Sequence, residues 1–134
     1  MVEINDALSL FNIELRGEIT SYSVIKNIPK NTELIGDGQI IKSIPVVLDG
    51  LVKVFTKYKE KEFLLYYIQP SESCLLSFIT SNKNKPSAFF ASTEEDSTIL
   101  FMPINKVEYW IKKYPDFNTM YFNLFNDRYY DLIV

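Results

Sequence analysis

Between residues 22 and 103 the sequence consists of short apolar runs separated by turn-forming residues, and this rhythm restricts the fold more than any other feature. The turn signals are IPKN at 28–31, GDG at 36–38 and DG at 49–50. Short apolar runs bounded by Gly, Pro, Asn and Asp are typical of β-strands. We therefore predict a mainly β fold over this range.

Two turns predict β-hairpins. In IPVVLDGLVKVF (44–55), Asp49 and Gly50 lie between two β-branched runs, and Asp-Gly readily takes the positive φ angles of a tight hairpin turn. The polar segment TKYKEKE (56–62) predicts a second hairpin with a solvated tip, and a functional charge patch is the alternative for that tip. Two further strands are predicted around the acidic turn Glu94-Glu95-Asp96, in SAFFAST (87–93) and STILFMP (97–103).

Helices are predicted on both sides of the β region, so that one domain, 1–134, comprises a helical segment (1–20), a β part (22–103) and C-terminal helices (104–134). Near the start, apolar residues at helical spacing predict a helix over 5–15 that ends near Gly17: Ile4, Leu8, Phe11 and Leu15. After the strands, a second set predicts a helix that Pro115 terminates: Val107, Trp110, Ile111 and Tyr114. A last helix is predicted to begin near Asp116 as its N-cap and to continue to the end of the chain.

This last helix is crowded with aromatic residues. From Tyr109 to Val134 there are nine of the chain's twenty aromatic residues (one Trp, nine Tyr and ten Phe in all). One face can pack on the chain's own β part, and aromatic residues around most of the circumference indicate a second partner. We predict a homodimer helix, with a fully packed core helix as the alternative. The predicted seam consists of Phe117, Tyr121, Leu124, Phe125 and Leu132.

Composition excludes several classes of function. The chain has no histidine, the commonest general base and the commonest ligand for zinc, copper and non-haem iron, so we expect no enzyme, metal or cofactor. Its single cysteine forms no internal disulfide, and neither a signal peptide nor a membrane-spanning run is visible, which predicts a cytoplasmic protein without a membrane partner. A net charge of -3 argues against DNA binding by this chain itself. The chain stops within an apolar pattern, which suggests a shortened form of a longer protein.

The order of these features resembles the effector domain of Crp/Fnr-type transcription regulators, the cyclic-nucleotide-binding β-roll. The resemblance covers nearly the whole chain. It implies a double-stranded β-helix (jelly roll) with flanking helices and a C-terminal dimerisation helix, the sensing half of a regulator that contacts DNA only through a helix-turn-helix domain missing from this chain. The segments that carry the resemblance are IPKNTELIGDGQIIKSIPVVLDGLVKVF (28–55), LLYYIQPSESCLLSFIT (64–80), SAFFASTEEDSTILFMP (87–103) and VEYWIKKYPDF (107–117).

By this resemblance, SCLLSFITSNKNKPSAFF (73–90) takes the position of the family's phosphate-binding cassette. There a Gly-Glu pair starts a short helix, and an Arg followed by Ser or Thr and Ala comes after the loop. Here Leu75 and Leu76 replace the Gly-Glu pair, Pro86 replaces the Arg, and only Ser87 and Ala88 match. Hydrogen bonds to charged groups contribute about 1.5–3 kcal/mol each, so losing both contacts removes roughly 3–6 kcal/mol. We expect a degenerate cassette that does not bind cyclic AMP.

The remaining cassette residues leave alternatives open. Lys83 and Lys85 either offer a substitute cation or belong to a solvated loop. Cys74 is expected to be buried and inert, with a redox sensor as the alternative. Apolar residues either line a pocket for an uncharged effector or fill the interior: Leu75, Leu76, Phe78, Phe89 and Phe90. The predicted ligand pocket consists of Cys74, Leu75, Leu76, Ser77, Phe78, Pro86, Ser87 and Ala88. A β-roll that dimerises without any ligand is the alternative function.

Overall fold

The computed structural model describes residues 7–133, in which seven strands form two antiparallel sheets. One sheet has the order β1-β7-β3 and the other β2-β6-β4-β5. Inward-facing residues of both sheets belong to a single apolar core. The predicted mainly β fold with flanking helices is confirmed. The strands are β1 Val24–Ile28, β2 Glu33–Ile35, β3 Ser43–Asp49, β4 Val52–Tyr58, β5 Lys61–Ile68, β6 Phe90–Thr93 and β7 Ser97–Pro103.

Between Ile13 and Ile133, four helices flank the sheets, and one of them interrupts the run of strands. The short helix lies between β5 and β6, at the cassette position, and two helices, one of them the longest, follow β7. The helices are α1 Ile13–Tyr22, α2 Leu75–Asn82, α3 Ile104–Lys113 and α4 Pro115–Ile133.

Among the described residues, the helix before the strands lies further along the chain than the one we predicted. We expected a helix over 5–15 that ends near Gly17, whereas α1 begins at Ile13 and continues through this glycine. The side chain of Asn12 caps the helix by accepting a hydrogen bond from the Leu15 N–H at 2.9 Å. Apolar spacing alone did not reveal this cap. Residues 4–6 of the prediction lie outside the described residues.

The predicted hairpin at Asp49-Gly50 is wrong, although the turn itself is present. β3 pairs with β7, whereas β4 pairs with β5 and β6, so the chain passes here from one sheet to the other. Gly50 has a φ of +99°, and the next residue, Leu51, donates its N–H to Ser97 Oγ at 3.2 Å. The Asp-Gly signal specifies a local turn, but the partner of each strand is decided by packing elsewhere.

The second predicted hairpin is confirmed, and its turn is shorter than expected. β4 and β5 pair along their whole length, and only Lys59 and Glu60 join them. Both residues have positive φ angles, 51° and 68°, as a two-residue hairpin turn of the primed type requires. Lys53 and Glu62 form an ion pair of 3.1 Å across the two strands.

The two C-terminal helices meet at the predicted proline. α3 ends at Lys113, and α4 begins with Pro115, whose missing N–H costs nothing at the first helical position. Asp116 therefore lies in the first turn of α4, and our prediction that it is the N-cap is wrong. Phe117 packs edge-on against Trp110 with ring centroids 5.8 Å apart, which fixes α4 to α3. The inner face of α4 is thus part of the core.

Candidate ligand cleft and helix face

The N-terminus of the cassette helix α2 is capped from within the chain. The Cys74 side chain makes no capping hydrogen bond, and the Leu76 N–H donates to the Tyr66 hydroxyl of β5 at 3.1 Å. Burial raises the pKa of Tyr66, so this hydroxyl stays neutral. Free N–H groups at a helix N-terminus attract anions, and here one of them is already bonded. An incoming phosphate would have to compete with Tyr66.

Cys74 lies in the interior, as predicted. The Ser77 hydroxyl donates to its sulfur at 2.9 Å, and the Tyr66 hydroxyl lies 3.8 Å away. Burial raises the pKa of the Cys74 thiol above its usual range, which keeps it protonated and poorly nucleophilic. This environment is that of a structural cysteine.

We therefore expect Cys74 to resist alkylation in the folded protein. Iodoacetamide at neutral pH should modify it at less than about one hundredth of the rate seen in urea. Folding keeps the reagent away from the buried sulfur and keeps the thiol protonated, and iodoacetamide reacts with the thiolate. Mass spectrometry of intact protein measures both rates. Rapid modification of the folded chain would instead support the redox interpretation.

A ring stack and a hydrogen bond, both made by Tyr121, join the cassette segment to α4. Phe78 stacks on Tyr121 with centroids 3.9 Å apart and planes at 8°. The Tyr121 hydroxyl shares a buried hydrogen bond of 2.7 Å with Ser73 Oγ, immediately before the cassette helix. Phe78 therefore contributes to packing between α2 and α4, and this contact couples the cassette position to the long helix.

The loop after α2 is exposed, and its matching serine is used internally. Lys83, Lys85, Pro86 and Ala88 are exposed, in agreement with the solvated-loop interpretation. Ser87 is buried, and its hydroxyl donates to the Phe89 carbonyl at 2.7 Å and accepts from the Phe89 N–H at 3.1 Å. No free polar group of Ser87 is therefore available to hold a ligand.

A cleft of about 390 Å³ lies between β5, α2 and α4. Of the predicted pocket residues, Leu75 and Leu76 line it, whereas Cys74, Ser77, Phe78, Pro86, Ser87 and Ala88 are not among its lining residues. Phe89 is buried in the core, and Phe90 stacks on Phe55, so neither faces the cleft. The lining residues are Leu65, Tyr66, Leu75, Leu76, Ile79, Phe125, Arg128, Tyr129, Asp131 and Leu132.

Arg128 is the cation of this cleft, and sequence reasoning missed it. Its Nη2 donates to Glu72 Oε1 at 2.9 Å and to the Tyr67 carbonyl at 3.1 Å, while Nη1 lies 3.7 Å from Asp131 Oδ2. The guanidinium also lies over the Tyr66 ring, 4.6 Å from its centroid. Its Nε is buried and has no hydrogen-bond partner in the described part of the chain. The available signal was that this is one of only two arginines, set among aromatic residues.

The long helix exposes an apolar face that differs from the predicted seam. Phe117, Tyr121 and Leu124 were predicted for the dimer seam, but they are buried against this chain's own core. Phe125 and Leu132 are exposed. Together with two neighbours they form what we call the outer stripe, in which the residues are spaced by three, four and three: Phe122, Phe125, Tyr129 and Leu132. This is the spacing of a helix that pairs with another helix.

Residues 7–133 offer neither a cluster of metal ligands nor a membrane-spanning helix. No group of three or more acidic or cysteine side chains is arranged to hold a metal ion. No helix in this part of the chain has both the length and the apolar character needed to cross a membrane.

Comparison with solved structures places this fold among Crp/Fnr regulators and cyclic-nucleotide-binding proteins. The Thermus thermophilus catabolite activator protein matches with a TM-score of 0.75 and 18% identity, over 94% of this chain and 59% of that one. A variant of CooA from Carboxydothermus hydrogenoformans matches with 0.76 and 19%, over 99% and 85%. The sensor domain of the transcriptional regulator DNR from Pseudomonas aeruginosa matches with 0.74 and 12%, over 95% and 85%. The predicted β-roll is thus confirmed as a fold.

The extent of these matches limits what they imply. The chain spans 55% to 59% of the length of the first four matching structures. A scan against protein-family models and a search of curated protein sequences give no match. The likeness is therefore one of fold.

Proposed function

We propose that this chain is the effector-sensing and dimerisation domain of a Crp/Fnr-like transcription regulator, with a degenerate cassette that does not bind cyclic AMP. The cleft between β5, α2 and α4 carries the proposal. Any molecule that fills it touches both the β-roll and the long helix, so binding can alter how α4 is presented to a partner. The matching structures support this role, since they include a transcriptional regulator of the Crp/Fnr family from Eubacterium rectale and the sensor domain of the regulator DNR.

The remaining parts of the proposal follow from this role. The domain acts in the cytoplasm and catalyses no reaction, and it contacts DNA only through a separate domain of the regulator. It forms a homodimer through the outer stripe of α4.

The local geometry disfavours cyclic AMP. Pro86 stands where the family's arginine would pair with the cyclic phosphate, and Lys83 and Lys85 do not line the cleft. An anionic phosphate placed beside Leu75 and Leu76 would be desolvated, and Arg128, the one cation of the cleft lining, is already paired with Glu72.

We expect titration calorimetry with cyclic AMP to detect no binding at ligand concentrations up to about 1 mM, because the two lost charged contacts correspond to roughly two to four decades of affinity. Cyclic GMP serves as a second nucleotide with the same phosphate. A dissociation constant in the micromolar range for either nucleotide would contradict the degenerate cassette.

A second function is a β-roll that dimerises and binds no ligand. The internal hydrogen bonds of Tyr66 and Ser87 favour it, because these polar groups are already satisfied within the chain. A thermal-shift screen of cyclic nucleotides and apolar metabolites separates the two functions. Stabilisation by at least one compound supports the sensor, and no response across the screen supports the ligand-free module.

A further inference from the structure

We propose that the cleft between β5, α2 and α4 accepts an uncharged aromatic or aliphatic molecule and discriminates against anions. This inference rests on the proposed function, because it names the chemical class of the effector. It is carried by the apolar lining and by the pairing of the charged groups around it.

The lining of the cleft is mostly apolar. Eight of its ten lining side chains are aliphatic or aromatic, and the other two are Arg128 and Asp131. Its volume of about 390 Å³ lies in the range of known ligand pockets, roughly 300–1,000 Å³. An apolar molecule of matching size would remove these side chains from water, which is the main source of affinity for such sites.

The one cation of the lining is already neutralised. Arg128 pairs with Glu72 at 2.9 Å and lies 3.7 Å from Asp131, so two carboxylates surround one guanidinium. These three groups carry a formal charge of -1. Arg128 Nε has no partner but is itself buried, so an incoming anion would have to displace Glu72 or remain unpaired in a partly buried site. Either course costs free energy. A neutral molecule leaves the pair intact.

The other feature that attracts anions in such a site is also occupied. The Tyr66 hydroxyl accepts the Leu76 N–H at the start of α2, which removes a donor that a phosphate or carboxylate would use. The described residues of the lining include no lysine. The selectivity for neutral molecules therefore follows from internal pairing.

Two fluorescent probes with the same aromatic framework test the inference on the purified chain. N-phenyl-naphthylamine is uncharged, and anilinonaphthalene sulfonate adds one negative charge. We expect fluorescence titration to give a dissociation constant about tenfold lower for the neutral probe, because the sulfonate finds no unpaired cation. Equal or tighter binding of the sulfonate would overturn the inference.

Matched variants locate the bound probe. Leu65 lines the cleft and is 45% exposed, whereas its neighbour Leu64 is 52% exposed and does not line it. Leu65→Ser should weaken binding of the neutral probe by about fivefold, and Leu64→Ser by less than about twofold, since only the first removes apolar surface from the cleft. Equal effects of the two variants would show that the probe binds elsewhere and would overturn the inference.

A substitution at Glu72 tests whether pairing of Arg128 is what disfavours anions. Glu72→Gln removes one carboxylate from Arg128, so we expect it to tighten sulfonate binding about threefold and to leave the neutral probe unchanged. No gain for the sulfonate would contradict the assigned role of the Arg128 pair.

Three residues of the outer stripe, Phe125, Tyr129 and Leu132, also line the cleft, so a second copy of the chain is the competing occupant. Binding of the neutral probe is measured while the protein concentration is raised through the range in which the chain dimerises. If dimerisation abolishes binding, the second copy fills the cleft, and the result contradicts the inference but supports the dimer. A chain that is monomeric by light scattering but binds the neutral probe retains the inference and counts against the proposed dimer.

Discussion

Replacing Gly50 by alanine is expected to lower the free energy of unfolding by about 4 kcal/mol, the sum of backbone strain and overpacking. Gly50 has a φ of +99°, a conformation that residues with a Cβ rarely adopt. An added Cβ would also lie 2.7 Å from the Asp96 carbonyl oxygen and 2.7 Å from the Ser97 Cα. These are main-chain atoms, so the turn between the two sheets would have to move. Urea unfolding followed by circular dichroism measures the loss.

The other glycines provide matched controls for this substitution. Gly38 has a φ of +79°, and an added Cβ there meets nothing within 4 Å, so Gly38→Ala should cost only about 1–2 kcal/mol from the backbone. Gly17 is within α1 with open space around it, so Gly17→Ala should stabilise the protein by about 0.5–1 kcal/mol. If Gly50→Ala cost no more than Gly38→Ala, the close approach at this turn would not matter to the fold.

The turn at Gly50 also illustrates how far local sequence determines the fold. Asp49-Gly50 predicted a turn with positive φ, and the structure has one. Which strands pair depends on residues far along the chain: β3 pairs with β7 through partners such as Val46 and Leu100, both buried. Burial on a shared sheet is a property of the assembled roll, and a hairpin signal contains no information about it. At Lys59-Glu60 the local and long-range preferences agree, and there the prediction held.

The cassette helix was predictable in position, but the cleft beside it was not. The order of elements located the cassette, and α2 is indeed present there. Five of the ten lining residues come from α4, which lies beside β5, and no spacing in the sequence predicts that approach.

The two apolar stripes of α4 explain why the predicted seam mixes residues that are buried in the chain's own core with exposed ones. The inner residues Phe117, Tyr121 and Leu124 are spaced by four and three, and the outer stripe is spaced by three, four and three. Both spacings are those of a helix face that packs on another element, so periodicity cannot distinguish which stripe meets the roll. Packing against Trp110 and Phe78 decides it in favour of the inner residues.

The second large effect is expected from substitutions in the outer stripe, which should weaken dimerisation. The double variant Phe125→Ser, Leu132→Ser should raise the dimer dissociation constant by at least about a hundredfold, because each lost side chain contributes about 1.5–3 kcal/mol when buried. In a symmetric dimer each substitution acts in both copies, which strengthens the expected effect. Light scattering across the micromolar range should show a dimer for the original chain and a monomer for the variant.

Two neighbouring tyrosines test whether dimerisation depends on the outer stripe itself or on exposed aromatic surface in general. Tyr129 belongs to the outer stripe and is 53% exposed, and Tyr130 lies outside it with 63% exposure. Tyr129→Ser should weaken the dimer, whereas Tyr130→Ser should not.

Phe117→Ser distinguishes the two stripes, because removing a buried ring should cost about 3–5 kcal/mol of stability and unfold the chain before it affects pairing. A folded, monomeric Phe117 variant would restore the original seam, and a monomeric original chain at high micromolar concentration would remove the dimer from the proposed function.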